Sequence, residues 1–158
     1  MFKNWIETMK VRAWAVAKVP LLFVAKPTVV ELTDDQVVIS LPFIRSNKNH
    51  LNSLYFGALC IGADAAGGLI AMRALEKVKR GKGSLIFKDF KANFLKRAEG
   101  ETFFTCKDGQ AIREAVLETE ASFERVELPV HVVATVPSQF GEMPVAEFVL
   151  TLSLKVRR

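Results

Sequence analysis

The sequence predicts an α+β domain in which an antiparallel sheet wraps one long apolar helix. Three observations lead there. Tyr55 to Met72 runs YFGALCIGADAAGGLIAM, too long for a strand and carrying one charge, Asp64. The later segments alternate apolar and polar residues with a period of two, as half-buried strands do. The order is a helix, two strands, one long apolar helix, then four strands with a small helix inserted, and a single apolar helix and an antiparallel sheet bury each other's apolar faces.

Residues 2–18 read as an amphipathic helix ending before Pro20, with Trp5, Ile6, Met9, Trp14 and Val16 as its apolar surface. Strands follow near 28–33 and 36–43, joined by the turn chemistry of Thr33-Asp34-Asp35. Pro42 puts the end of the second strand at an edge or exit. Residues 44–54 are a polar loop with three asparagines. The central helix is expected from about Tyr55 to Val78, with Gly81 and Gly83 stopping it after Lys and Arg in its last turns. Residues 84–97 form a long strand whose alternation slips at Lys88-Asp89, the mark of a bulge. Strand 101–107, helix 111–123 and strands 125–136 and 145–156 complete the order. Val126, Leu128, Val130, Val132 and Ala134 share one face of the first of these last two strands. Ala146, Phe148, Leu150, Leu152, Leu154 and Val156 share one face of the other.

The 158 residues suit one domain, 1–158, with a real core. Half of them are apolar and a quarter charged, ordinary for a globular chain. Two cysteines, Cys60 and Cys106, and two histidines, His50 and His131, are too scattered for metal-ligand spacing. No disulfide framework is indicated, so a reducing, cytoplasmic setting is the expectation. The net charge of +5 suits nucleic acid, an anionic membrane surface or a phosphorylated small molecule. No basic motif interleaved with aromatics supports nucleic acid. Arg73, Lys77, Lys79, Arg80 and Lys82 read as a solvated helix end, where cations favour the dipole. The apolar stretch near the N-terminus is broken by Lys18 and Pro20, and no small-residue cleavage site follows it. The run around Asp64 is long enough to span a bilayer. A central carboxylate there costs roughly 2.5–3.5 kcal/mol on insertion scales, so a helix buried in protein is expected and a membrane span is not.

Asp64 is the candidate for chemistry. Its neighbours one turn away are Cys60, Ile61, Gly67 and Gly68, a small and apolar setting. Burial of a carboxylate without partners raises its pKa, which suits a general base. Gly57, at the helix start, leaves backbone N–H groups open to close approach. The two lie about 10 Å apart along one axis at ~1.5 Å per residue, too far for one small carbonyl.

The region NHLNSLYFGALCIGADAAGG resembles the hotdog-fold acyl-CoA thioesterase superfamily, nearest to its phenylacetate-pathway type and to uncharacterised bacterial hotdog domains. The pattern there is a loop Asn, a His-Gly-Gly-like helix start, and an acid seven residues after the last Gly. Asn49, Gly57 and Asp64 stand at those places. NFLKRAEGE, residues 93–101, resembles the strand segment that usually reads Phe-Leu-x-Pro-Ala. Tyr55 stands where His is frequent, Phe56 and Asn52 where Gly is frequent, and Arg97 where Pro is frequent. The element order resembles a hotdog core over 28–156, preceded by an N-terminal helix within 1–20.

The resemblance implies hydrolysis of an acyl-CoA or other acyl thioester at a homodimer interface, with dimers of dimers allowed. Asp64 would be base or nucleophile, opposite Gly57 of the second chain. Asn49 would assist or merely shape its loop. Tyr55, Phe56, Ala58, Cys60 and Asn93 would contact substrate. Arg73, Lys77 or Arg97 would bind CoA phosphates. No separate cofactor is implied, because coenzyme A enters as part of the substrate. His50 reads as a surface residue, and His131 lies on the polar face of its strand. The alternative reading is an acyl-binding hotdog protein without turnover. A hotdog dehydratase lacks support because the central segment has no Asp-plus-His pair.

Overall fold

In the computed structural model, which describes residues 4–158, the elements run in this order. Helices α1 (Trp5–Lys18) and α2 (Pro20–Ala25) precede strands β1 (Thr28–Leu32) and β2 (Val37–Leu41). The central helix α3 (Phe56–Leu75) leads to β3 (Lys82–Phe94) and β4 (Thr102–Cys106). Helix α4 (Gly109–Ser122), strand β5 (Val126–Thr135), a short turn of helix α5 (Pro137–Phe140) and strand β6 (Pro144–Arg157) finish the chain. The six strands form one sheet ordered β1-β2-β4-β5-β6-β3, every neighbouring pair antiparallel. This is the hotdog arrangement, a sheet around one long helix. Positions 2 and 3 of the expected first helix lie outside the described residues.

The sheet can close on α3 because the helix is built from small residues. Eleven of its twenty residues are buried, and nine of these are Gly or Ala. A Cβ on Gly62 would lie 2.3 Å from the ring of Phe104, which is itself fully buried. Phe104, Phe148, Leu150, Leu152 and Leu154 supply the sheet side of this core. Helix α3 is therefore long and apolar enough to cross a membrane by length and composition, but it is packed here as a core helix.

The strand patterns hold in detail. The inward face of β6 is Ala146, Phe148, Leu150, Leu152, Leu154 and Val156, all buried. The register of β3 against β6 shifts between Phe87 and Asp89, where the alternation breaks in the sequence. Helix α4 caps the far end of α3, and the Glu120 carboxylate accepts from the backbone N–H groups of Lys79 and Arg80 at 2.6 and 2.8 Å. Gly81, at φ 91°, takes the left-handed turn into β3, so α3 ends at Leu75, three residues before the expected Val78. Helices α2 and α5 are additions to the expected order. Each begins on a proline, Pro20 or Pro137, which reads as a helix stop although it is equally at home in a first turn.

Helix α1 forms where the sequence puts it, but its apolar surface faces outward. Its buried residues are Thr8, Val11 and Ala15, while Trp5, Ile6, Met9, Trp14 and Val16 are exposed. The reason is the free edge of β1. Thr8 Oγ1 accepts from the Val29 N–H at 2.9 Å, and the Asn4 N–H donates to the Val29 carbonyl at 2.8 Å. Arg12 donates to the Pro27 carbonyl and to Thr28 Oγ1. An unpaired strand edge needs polar partners, and Asn4, Thr8 and Arg12 supply them while Val11 and Ala15 of the same side join the core.

Gly62→Ala tests the helix–sheet packing. Overpacking costs about 1–3 kcal/mol, and the fully buried Phe104 ring puts this site at the upper end. Against it stands a helix-propensity gain of roughly 1 kcal/mol. The urea midpoint is expected to fall by the equivalent of about 2 kcal/mol; an unchanged or higher midpoint would show that the ring yields freely.

Candidate active site

The stripe of α3 that the sheet does not cover carries the candidate chemistry. Gly57, Cys60, Ile61, Asp64 and Met72 are only partly buried, and their spacing places them on one side of the helix. Asp64 makes no hydrogen bond or ion pair among the described residues, and burial alone pushes its carboxyl above the ordinary carboxylate value. Its Oδ1 sits 4.0 Å from where a Cβ on Gly68 would lie, with the Phe87 ring 3.6 Å from the same point. An uncompensated, partly buried carboxyl holds its proton more tightly than one in water. Cys60 shares the stripe, and desolvation raises its thiol pKa, so it is not an activated nucleophile.

At the N-terminal end of α3 lies a cavity of about 330 Å³. Asn49, His50, Ser53, Leu54, Tyr55, Phe56, Leu59, Phe94, Lys96, Arg97 and Ala98 line it. The loop before the helix is shaped by Asn49, whose Oδ1 accepts from the N–H groups of Leu51 and Ser53 at 2.9 and 3.1 Å. Asn52, at φ 56°, occupies the left-handed region that glycine or asparagine tolerates. This accounts for an asparagine at a position where the resembling pattern has glycine. Tyr55 sits at the N-cap, and among the described residues no side chain caps the first turn. The open N–H groups and the dipole make that turn electropositive. The Tyr55 ring folds back over Gly57, where a Cβ would lie 2.4 Å from ring carbon Cε1.

An aromatic row runs away from the cavity. Tyr55 packs on Phe56 at 4.7 Å between ring centroids, Phe56 on Phe94 at 6.3 Å, Phe94 on Phe148 at 6.1 Å, and Phe90 on Phe148 at 5.7 Å. Tyr55, Phe56, Phe90 and Phe94 all keep large exposed areas. They border β3, whose outer edge has no strand beside it.

The structure thus brings Asn49, Tyr55 and Phe56 together at one cavity, with Gly57 beneath the Tyr55 ring and Asp64 two turns further along. Two expected contact residues lie elsewhere. Ala58 is buried in the core. Asn93 pairs across the sheet with Glu147, between Ala92 opposite Phe148 and Phe94 opposite Ala146. It therefore points to the face away from α3, because neighbours along a strand alternate sides. Arg73 and Lys77 are engaged with Asp34 at 3.1 and 2.7 Å and tie the β1–β2 turn to α3. Arg97 stays at the cavity, with its guanidinium on the Leu51 carbonyl at 2.6 Å and beside Glu99. Phe90, Phe94 and Lys96 join the candidate residues. The signal for the phenylalanines was their place on the α3 side of β3 after the bulge, which requires the register to be known. Among the described residues no three His, Cys, Asp or Glu side chains gather to hold a metal ion.

An antiparallel sheet wrapped on one long helix defines a hotdog domain. The chain belongs to the family described as a domain of unknown function, DUF4442, which matches residues 8–150. The comparison with curated proteins finds no match. Among solved structures, one similar chain is a Pseudomonas aeruginosa protein described as of unknown function and a "Probable Thioesterase". It is 22% identical with a TM-score of 0.77, covering 95% of this chain and 96% of that one. A thioesterase from Haemophilus influenzae is 12% identical with a TM-score of 0.66, covering 89% and 86%. A variant thioesterase from Pseudomonas aeruginosa is 12% identical with a TM-score of 0.70, covering 95% and 94%. At these identities the likeness is one of fold.

The isolation of Asp64 has a consequence for stability. Its folded pKa lies above the ordinary 3.8, so the folded state holds the proton more tightly than the unfolded one. Stability is then lost as pH rises from about the unfolded value through the folded one. Asp64→Asn removes that loss. Denaturant titrations should find the variant more stable than wild type at neutral pH, with the gap closing as pH falls below 3.8. A variant less stable at neutral pH would mean that the carboxylate has a stabilising partner.

Proposed function

We propose that the protein hydrolyses acyl thioesters of coenzyme A, or of a similarly phosphorylated carrier, as a homodimer with Asp64 as general base. The observation that carries this reading is the unpaired, partly buried Asp64 carboxylate on the uncovered stripe of α3. Such a group costs stability and has no structural partner, which is the pattern of a residue kept for chemistry.

In this reading Asp64 takes a proton from water, and the hydroxide adds to the thioester carbonyl. The oxyanion is met by N–H groups of the first turn of α3, near Gly57, helped by the helix dipole. Collapse breaks the C–S bond, and the thiolate leaves and takes up a proton. Asp64 and Gly57 of one chain are about 10 Å apart along the axis, so the working pair would be Gly57 of one chain and the partner's Asp64. The exposed edge of β3 and the half-covered stripe of α3 support pairing on that side, since long free edges are normally covered or paired. The exposed aromatic row suits an acyl chain, and Lys96, Arg97 and His50 at the cavity suit the phosphates of the carrier.

A second reading, binding of acyl thioesters without turnover, is favoured by one feature. The Tyr55 ring lies on Gly57 and covers the backbone that an oxyanion would approach. Tyr55 is 48% exposed, so the ring has room to swing aside.

Free-thiol release from short, medium, long and aromatic acyl-CoAs separates the readings. Wild type should turn over at least one class. A folded, dimeric Asp64→Asn should lose roughly 10²–10⁴ in kcat, and the wild-type rate should rise with pH through a value above 3.8. Equal rates in both proteins would remove Asp64 from the mechanism, and binding without release in wild type would select the second reading. Lys96→Ala should raise KM by about tenfold with little change in kcat, as loss of one charge-assisted phosphate contact does.

A further inference from the structure

Helices α1 and α2 carry an apolar surface that nothing in the fold uses. Trp5, Ile6 and Met9 are 67%, 71% and 57% exposed, and Val16, Leu21, Phe23 and Val24 are also open. On a helix of 3.6 residues per turn, positions 5, 6, 9, 13, 16 and 17 fall within an arc of about 120°, and all are apolar and exposed. The opposite stripe of α1 is fully engaged with β1 through Thr8, Asn4 and Arg12, so the helix cannot turn its apolar side inward. A contiguous exposed apolar patch of this kind marks an interaction site.

The charges around it identify the partner. Between Asn4 and Pro27 the cations Lys10, Arg12, Lys18 and Lys26 stand against one acid, Glu7, and Glu7 is already held by Lys10 at 2.9 Å. By helical spacing Lys10 and Arg12 flank the two sides of the apolar arc. Both tryptophans of the chain lie in α1, a residue type that favours the boundary between headgroups and acyl chains. Apolar residues on one face with cations at its margins fit a helix lying in the surface of a bilayer. A symmetric pairing of two copies through this face would bring the same cations together, which counts against a second copy as the occupant.

We propose that α1 and α2 seat the protein on an anionic lipid bilayer, with Trp5, Ile6, Met9 and the exposed α2 side chains entering the headgroup boundary and Lys10 and Lys26 facing anionic headgroups. The inference is independent of Asp64 and of any turnover.

Tryptophan emission tests this directly, because Trp5 and Trp14 report on α1 alone. The full-length protein is titrated with vesicles of equal phosphatidylcholine and phosphatidylglycerol, with vesicles of phosphatidylcholine only, and with buffer. A blue shift and co-sedimentation are expected with the anionic vesicles, at least about tenfold weaker without phosphatidylglycerol and weakened again by raised salt. Ile6→Ser/Met9→Ser/Val16→Ser should abolish binding, and Lys10→Glu/Lys26→Glu should weaken it at least about tenfold. These side chains are exposed, so both variants should keep the wild-type fold by circular dichroism. Absence of any shift with anionic vesicles would overturn the proposal. So would equal binding to both lipids, or binding that survives the triple substitution. A wild-type oligomer by light scattering that the triple substitution dissociates, with no vesicle binding, would assign the face to a second copy instead.

Discussion

Close approach between α3 and the sheet is the constraint on which the rest of this molecule depends. Nine of the eleven buried positions of α3 are glycine or alanine, and the facing strands carry the bulk, with Phe104 against Gly62 as the tightest contact. A helix this thin lets the strands curl round it, but only partway. Six strands leave one stripe of α3 half covered, and that stripe is where Gly57, Cys60 and Asp64 fall. Had the helix carried large residues, the sheet would stand off, and no carboxylate could be both held near apolar rings and left within reach of water.

The two edges of the sheet are handled in opposite ways. At β1 the edge is closed by α1, whose Thr8 hydroxyl takes the free N–H of Val29. At β3 no helix among the described residues lies over the edge, and the inward face ends in Phe90 and Phe94, which stay exposed. The closed edge stabilises; the open edge, beside the uncovered stripe of α3, is where a partner chain or an acyl group has room. The ion pairs of Asp34 with Arg73 and Lys77, and of Asp35 with Arg113, belong to the stabilising part. They join the β1–β2 turn to α3 and α4 at the end of the helix remote from the cavity.

Much of this was readable from residue order, and the exceptions share a cause. Period-two alternation located β5 and β6, the broken alternation at Lys88 located the bulge, and the single charge in an apolar run located Asp64. These signals work because each depends on one element's own inside and outside. Helix α1 failed that test. Its apolar stripe marks the face with the most hydrophobic residues, but the side that docks carries Thr8, Val11 and Ala15, matched to the edge of β1 and to the core, partners that no periodicity in α1 can report. Asn93 likewise turned on the register after the bulge, since one residue of slip exchanges the two faces of a strand. The lysines and arginines of the α3 end looked free in sequence, and tertiary ion pairs engage Arg73 and Lys77.

The position of Asp64 is best understood as a balance between what the fold can bear and what the stripe requires. A carboxylate deeper under the sheet would need a partner or a proton at neutral pH, and either would quench it as a base. A carboxylate fully in water would keep its ordinary pKa and be a weak base near neutrality. Partial burial gives the intermediate case, in which desolvation raises the pKa and no ion pair among the described residues lowers it again. The stripe that carries Asp64 is the one that the sheet, ending at β3, leaves partly open, so the raised pKa of the acid and the free edge of the sheet arise from one arrangement of α3 against six strands.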